Sequence, residues 1–309
     1  MKILVTGGAG FIGSTIVDKY IEAGHRVWAY DNESSGRRAQ VNKKATFVRG
    51  DVRNLRALET LFSRHKFDVV NHHAAQIDVR RSVENPAFDA EVNIIGILNL
   101  LKLSKDNKVK KFLFSSSGGT VYGECKRAAD ESFPEVPLSP YGVAKLASEK
   151  YILSNGALYG QKFTIFRYAN VYGPRQDPHG EAGVVAIFSR RLLAGEPITI
   201  FGDGKQSRDF VFVGDVARAS LLGLTKAQNQ IVNIGTTQPT SVNDLYRRMA
   251  RIVGETRPAK HKPARAGELR RSLLAVGKAK RVLSWQPGVT LDEGLAQTIE
   301  FFRQMDARA

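Results

Sequence analysis

The chain has 309 residues, 42% hydrophobic and 25% charged, a balance that builds a large globular core and excludes a disordered or fibrous protein. Its single cysteine, Cys125, excludes an intrachain disulfide; with no long apolar run and no signal-like order at the N-terminus, the expectation is a cytoplasmic protein with no membrane partner. The net charge of +16 sits in short scattered clusters such as Arg247-Arg248 and Lys278-Lys280-Arg281, which reads as a solvated surface rather than a nucleic-acid site.

Lys2-Ile3-Leu4-Val5 is a short apolar strand running into TGGAGFIG and then a helical stretch, Ser14 to Ala23. Gly7, Gly10 and Gly13 allow a tight turn, close approach of backbone to a pyrophosphate, and contact between helix and strand. Their spacing is one residue wider in its first gap than the common GxGxxG. A second strand, His25 to Tyr30, ends in Asp31, about 20 residues on, where a carboxylate can bond both ribose hydroxyls. That carboxylate repels a 2′-phosphate and favours NAD over NADP, although Arg37 and Arg38 lie close by. Thr46–Val52 repeats the pattern: Asp51 is either an adenine contact or an ordinary cap of the helix 54–64. The fourth strand, Asp68 onward, ends in His72-His73-Ala74-Ala75-Gln76, small residues against which a cofactor can lie; no further Cys or His completes a metal set, so no metal is expected. Asn85-Pro86 opens a long amphipathic helix through Lys105, with Asn93 inside it as a brace for the following serine loop.

A fifth strand, Lys111 onward, ends in Ser115, Ser116 and Ser117, and Ser139-Pro140 then opens a helix carrying Tyr141 and Lys145. Four residues apart, these two share a helix face. A phenol is a poor base at neutral pH, but a neighbouring cation favours the phenolate, and a serine hydroxyl can relay a proton to a substrate alcohol. Taken alone, the pair reads more readily as a surface Tyr–Lys contact. Phe163–Arg167 is another core strand, followed by Tyr168-Ala169-Asn170-Val171-Tyr172-Gly173-Pro174. This alternation predicts an α/β fold with a doubly wound, Rossmann-like parallel sheet. Residues 1–173, with 210–236 returning, are expected to form the dinucleotide domain, and 174–209 with 237–309 a smaller substrate domain.

In this order TGGAGFIG, HHAAQ, SSSGGTVYG, YGVAK, RYANVYGPRQ and FGDGKQSRDFV resemble the extended short-chain dehydrogenase/reductase family over essentially the whole chain, nearest to bacterial UDP-glucose 4-epimerases. The resemblance implies NAD as cofactor and a UDP-sugar as substrate. It implies Tyr141 as base, Lys145 as its cationic partner and Ser117 as the relay, with Ser116 still a contender because the loop is one residue longer than in many relatives. Cofactor contacts are implied for Gly7, Gly10, Phe11, Ile12, Gly13, Asp31, Asn32, Gly36, Asp51 and Val52. They continue at His73, Ala74, Ala75, Gln76, Asn93, Ser115, Tyr141, Lys145 and Tyr168. Substrate contacts are implied for Ser117, Gly118, Tyr141, Asn170, Gly183, Val184, Ser272, the diphosphate-binding Arg208 and Arg265, and the uridine-side Glu268. The implied reaction is reversible oxidation at the sugar C4 through a 4-keto intermediate, with the cofactor regenerated each turn.

Gly118-Gly119 follow the serines where a dehydratase would need an acid pair, and Cys125 lies outside the position of an oxidase nucleophile. Ser272 stands where some relatives carry a bulky tyrosine, implying room for UDP-GalNAc and UDP-GlcNAc. Leu274-Ala275 stand where relatives often have Ala-Asp, an expected lost helix cap. The helices Phe88–Lys105 and Tyr141–Leu158 match the dimer-forming pair of relatives, which implies a homodimer. Two alternatives stay open: another nucleotide-sugar enzyme of the family, such as a glucuronate epimerase, dehydratase or reductase, and a non-catalytic protein binding NAD or RNA.

Overall fold

The computed structural model describes residues 1–178, 183–264 and 269–306. The strands are β1 (Lys2–Thr6), β2 (Arg26–Asp31), β3 (Thr46–Arg49), β4 (Val69–His72), β5 (Lys111–Ser117), β6 (Lys162–Tyr168), β7 (Asn170–Tyr172), β8 (Thr199–Phe201), β9 (Ser207–Phe212), β10 (Gln230–Ile234), β11 (Pro239–Ser241), β12 (Lys260–Lys262) and β13 (Arg271–Ser272). Seven form one parallel sheet in the order β10-β6-β5-β4-β1-β2-β3. Ile3, Leu4 and Val5 have no exposure because helices cover both faces, so the central strand is apolar without alternation. One apolar cluster fills each face. The chain leaves β1 towards β2 and later crosses to β4, so the strand order reverses between β1 and β4 and a crevice opens at their C-terminal ends.

The helix Pro140–Tyr159 shows how local sequence sets these elements. Ser139 Oγ accepts from Gly142 N at 3.1 Å, Pro140 fills the first turn, and Gly160 ends the helix at φ 67°. The predicted helix through Lys105 is continuous from Pro86 to Asp106 but contains a wide π turn at Glu91–Ile95. Asn93 lies in that turn. It braces Gln76 after β4 rather than the serine loop, accepting from Gln76 N at 3.1 Å and donating to Gln76 O at 3.0 Å.

A smaller sheet has β9 at its centre, antiparallel to β11 and parallel to β7 and β13, and β12 pairs with β8. Residues 210–212 were expected in the main layer, but β9 lies in this smaller sheet. Phe210 and Phe212 fill a third apolar cluster with Tyr172, Leu245 and Ile299, and burial there decides the pairing. The return begins with the helix Val213–Gly223, whose Ser220 hydroxyl meets Tyr20 of the helix Phe11–Glu22 at 2.8 Å. The helix Gly277–Leu283 does start without a side-chain cap, after Val276. Leu274 itself is fully buried with Tyr122, Cys125 and Ala129. Among the described residues, no helix is long and apolar enough to cross a membrane.

Candidate active site

The glycine turn is built of backbone contacts. A Cβ on Gly13 would stand 2.0 Å from Gly7 O, and one on Gly7, which has φ +69°, would stand 2.6 Å from Ala74 N. Gly36 closes over the same turn, where a Cβ would meet Ala9 C at 2.7 Å. Gly10 leads the helix Phe11–Glu22 with no side-chain cap, so the first-turn N–H groups of Phe11, Ile12 and Gly13 face the crevice without intrahelical acceptors. Phe11 and Ile12 also pack against the apolar cluster of the smaller sheet.

Asp31, at the end of β2, is held by Ala9 N at 3.0 Å and Glu33 N at 2.8 Å. The Arg38 guanidinium lies over the Phe47 ring at 5.3 Å. Asp51 does not cap the next helix; Asn54 does, accepting from Ala57 N. Asp51 instead accepts from Arg53 and from Asn32 Nδ2, and the Arg53 hydrogen bond pulls its carboxyl down to about 2. Val52 is buried, against Gly96. Ala74 N reaches Thr6 Oγ1 at 3.4 Å, and the His73 ring stacks on Tyr168 with Nε2 3.3 Å from its hydroxyl. Burial holds the His73 imidazole neutral, at about 3, and its buried Nδ1 finds no partner among the described residues. A glycine cradle that admits no Cβ, free helix N–H groups, a fixed carboxylate and this unpaired ring nitrogen fit an anionic dinucleotide. Among the described residues, no three His, Cys, Asp or Glu side chains gather as a metal set.

At the end of β5 the three serines diverge. Ser115 O accepts from Lys145 Nζ at 2.9 Å, and Ser116 Oγ donates to the buried Glu149 carboxylate at 2.5 Å. Ser117 is half-buried, and among the described residues its hydroxyl has no hydrogen-bond partner. With Ser116 committed to structure, Ser117 is the hydroxyl left for a relay. Tyr141 and Lys145 are both buried, and the ammonium lies 5.7 Å from the Tyr141 ring and 4.9 Å from the Phe114 ring.

The expected lowering of the Tyr141 phenol is reversed in the chain alone. Burial raises it, and the charge of Asp89 raises it further. Burial also lowers Lys145 to about 8, against the charges of Asp89 and Glu149. Neither carboxylate stood out in the sequence. The available signal was the helical spacing of Tyr141, Lys145 and Glu149, and of Asp89 and Asn93.

On the sugar side, a Cβ on Gly119 would lie 3.5 Å from Ser272 Oγ and 3.9 Å from Asn170 Oδ1, so Asn170 and the buried Ser272 meet opposite the serine loop. Gly118 packs on Leu274, where a Cβ would come within 2.7 Å of Cδ1. Arg208 pairs in register with Ser272, and its guanidinium bonds Ser207 O at 3.0 Å. Gly183 precedes the helix Val184–Leu193, with no side-chain cap. Arg265 and Glu268 lie outside the described residues. Cys125 is fully buried, and burial raises its thiol above the usual range, so it is no nucleophile.

A doubly wound sheet with a glycine turn at its switch point, and a Tyr–Lys pair beside a free serine, define a dinucleotide-dependent enzyme of the extended short-chain dehydrogenase class. The sequence profile of the NAD dependent epimerase/dehydratase family matches residues 3–235, and the chain belongs to that family, whose cofactor is NAD. It is 46% identical to a UDP-glucose 4-epimerase of Mycolicibacterium smegmatis, over 98% of this chain and 99% of that one. The structure of Thermotoga maritima UDP-glucose 4-epimerase with UDP-glucose is 50% identical, covers 99% of both chains and superposes with a TM-score of 0.97. That of the Thermus thermophilus UDP-glucose 4-epimerase in complex with NAD is 42% identical, with a TM-score of 0.94 over 98% of this chain and 99% of that one.

Proposed function

We propose that the chain interconverts UDP-hexoses at C4, with UDP-galactose and UDP-glucose as the reference pair. The observation that carries this is that Lys145, one turn from Tyr141, bonds the serine end of β5, where the Ser117 hydroxyl is free, with Asn170 and Ser272 beside Gly119. Gly7, Gly10, Gly13 and the first turn of their helix would hold the pyrophosphate, Asp31 the adenosine ribose, and His73–Gln76, Tyr168 and Lys145 the nicotinamide end. Bound NAD+ supplies a reversible two-electron acceptor at the sugar C4 and a positive charge that favours the Tyr141 phenolate. Tyr141 Oη takes the proton of the 4-hydroxyl, directly or through Ser117 Oγ, as the C4 hydrogen leaves as hydride, and returns it to O4 once the turned sugar has regained that hydride on the other face of C4. Arg208, with Arg265, anchors the diphosphate by charge-assisted bonds, so affinity resides in the UDP and the sugar stays free to turn over. The glycine pair after Ser117 offers no acid for elimination.

The small side chain of Ser272, beside Gly119, supports acceptance of N-acetylated sugars as well. A second copy of the chain is the proposed partner. Ile97, Leu100 and Leu101 are spent on the core, while Ile95, Val143 and Tyr151 stay exposed on the two helices expected to pair. The dispersed basic charge and the single buried thiol support a cytoplasmic enzyme of small molecules rather than a nucleic-acid binder.

The experiment is incubation of the purified chain with UDP-galactose and no added cofactor, then with UDP-GalNAc. Formation of UDP-glucose supports the reading and implies co-purified NAD. No conversion with NAD added overturns it.

A further inference from the structure

Two carboxylates lie buried around Lys145, and they differ in what neutralises them. Glu149 is bonded by the Arg167 guanidinium through Nε and Nη2, and Arg167 also reaches Glu135, which Lys150 covers from outside at 2.6 Å. Arg167 and Lys150 are thereby matched by Glu149 and Glu135. Asp89 is 1% exposed and, among the described residues, has no cation bonded to it. Its Oδ1 accepts from Gln76 Nε2 at 2.9 Å and from Asn93 Nδ2 at 3.0 Å, while the buried Oδ2 finds no partner among the described residues. Lys145, equally buried, bonds a neutral oxygen, Ser115 O, in place of a carboxylate. One unmatched carboxylate and one unmatched ammonium thus remain, on helices packed together through Ser148 Oγ, which donates to Asn93 O.

We propose that Asp89 is the counter-charge of the Lys145 ammonium and, through it, a positioning residue for proton transfer at Tyr141. An isolated charge of either sign is unfavourable in this interior, and the two together remove each other's penalty. The other groups facing the pair leave Asp89 as the deciding charge. His72 and His73 on β4 and just beyond it are kept neutral by burial, and Glu149 on the same helix is offset by Arg167 of β6. Tyr168, also on β6, is held protonated by burial. Asp89 is the strongest charged influence on both Tyr141 and Lys145. Its Oδ1 contacts also tie that charge to Gln76 and Asn93, on the wall expected to meet the cofactor.

The test is a double-mutant cycle on the full chain, with denaturant melts of Asp89→Asn, Lys145→Met and the double variant at neutral pH. The asparagine keeps the oxygen that Gln76 and Asn93 use. The double variant is expected to be more stable than Lys145→Met alone, because the single change strands a buried carboxylate; additive losses overturn the proposal. Lys145→Met by itself gives a second reading should Asp89→Asn not fold. Its folding equilibrium constant is expected to fall more than about 100-fold because the carboxylate is left stranded, and a fall of less than about tenfold overturns the proposal.

The catalytic half of the inference rests on the proposed epimerase reaction. There, Asp89→Asn moves both limbs of the UDP-galactose rate profile to lower pH by on the order of one unit, whereas Asp89→Glu leaves them in place. Limbs that stay fixed while the rate falls would reduce Asp89 to a structural residue. A wild type silent on UDP-galactose would count against the epimerase reading alone and leave the stability cycle to decide the charge pair.

Discussion

The two sides of the cleft are made of different material. The cofactor side is backbone: Gly7, Gly13 and Gly36 leave no room for a Cβ, and Asp31 is held by two main-chain N–H groups. The sugar side is made of side chains from distant strands, Asn170 on β7, Arg208 on β9 and Ser272 on β13, gathered by the smaller sheet. A backbone cradle tolerates almost no substitution, whereas a side-chain wall can be altered one residue at a time. Between them stand Tyr141 and Lys145, which the proposed reaction uses on both sides.

The comparison predicts its largest effect where the two sides meet. Tyr141→Phe removes the proton acceptor and nothing that packs, so kcat should fall about 100- to 10,000-fold with an unchanged melting temperature. A rate within tenfold of the wild type would place the base elsewhere. Next comes the cradle. Gly13→Ala drives a methyl into Gly7 O, with a loss of about 1–3 kcal/mol of stability and of co-purified NAD. Melting curves and the nucleotide released on denaturation check it, and a variant that keeps its NAD would mean that the turn can relax.

How legible each side was in the sequence follows the same division. The main sheet was readable because β1, β3, β4 and β5 are each followed by a helix, and the glycine trio announces its turn locally. β9 was misplaced because a strand does not state its partner, and Phe210 and Phe212 serve the smaller sheet's core as readily as the larger one's. Ser116 and Ser117 could not be told apart until Glu149, a residue of the next long helix, took the Ser116 hydroxyl. The effect of Lys145 on Tyr141 was legible as a pairing but not as a sign, since burial outweighs the neighbouring ammonium. Asp89 was invisible for the same reason: its meaning lies in what it fails to bond.

The sugar side should yield a change of preference rather than a loss. Ser272→Tyr places a ring in the space facing Gly119 and Asn170, and kcat/KM for UDP-GalNAc should fall about 10- to 100-fold relative to UDP-galactose. Equal losses on both substrates would mean that Ser272 does not face the N-acetyl group.

The smallest effect belongs to the rim of the cofactor side, where the comparison is least secure because side chains do the work there too. Asp51 is half-buried and held by Arg53, whose bonds keep its carboxyl at about 2, below the usual carboxylate range. A depressed carboxyl adds stability that is fully present above the unfolded value and is lost as pH falls through about 2. Solvent screening limits it to no more than about 1 kcal/mol. Arg53→Gln should therefore leave the neutral-pH melting temperature nearly unchanged, remove this part of the resistance to acid, and weaken NAD binding only a few-fold (a range of about 1 kcal/mol). Calorimetry from about pH 2 to 7 and an NAD titration test both. A collapse of NAD affinity would show that even this rim needs a fixed carboxylate, and that the backbone cradle does not hold the dinucleotide on its own.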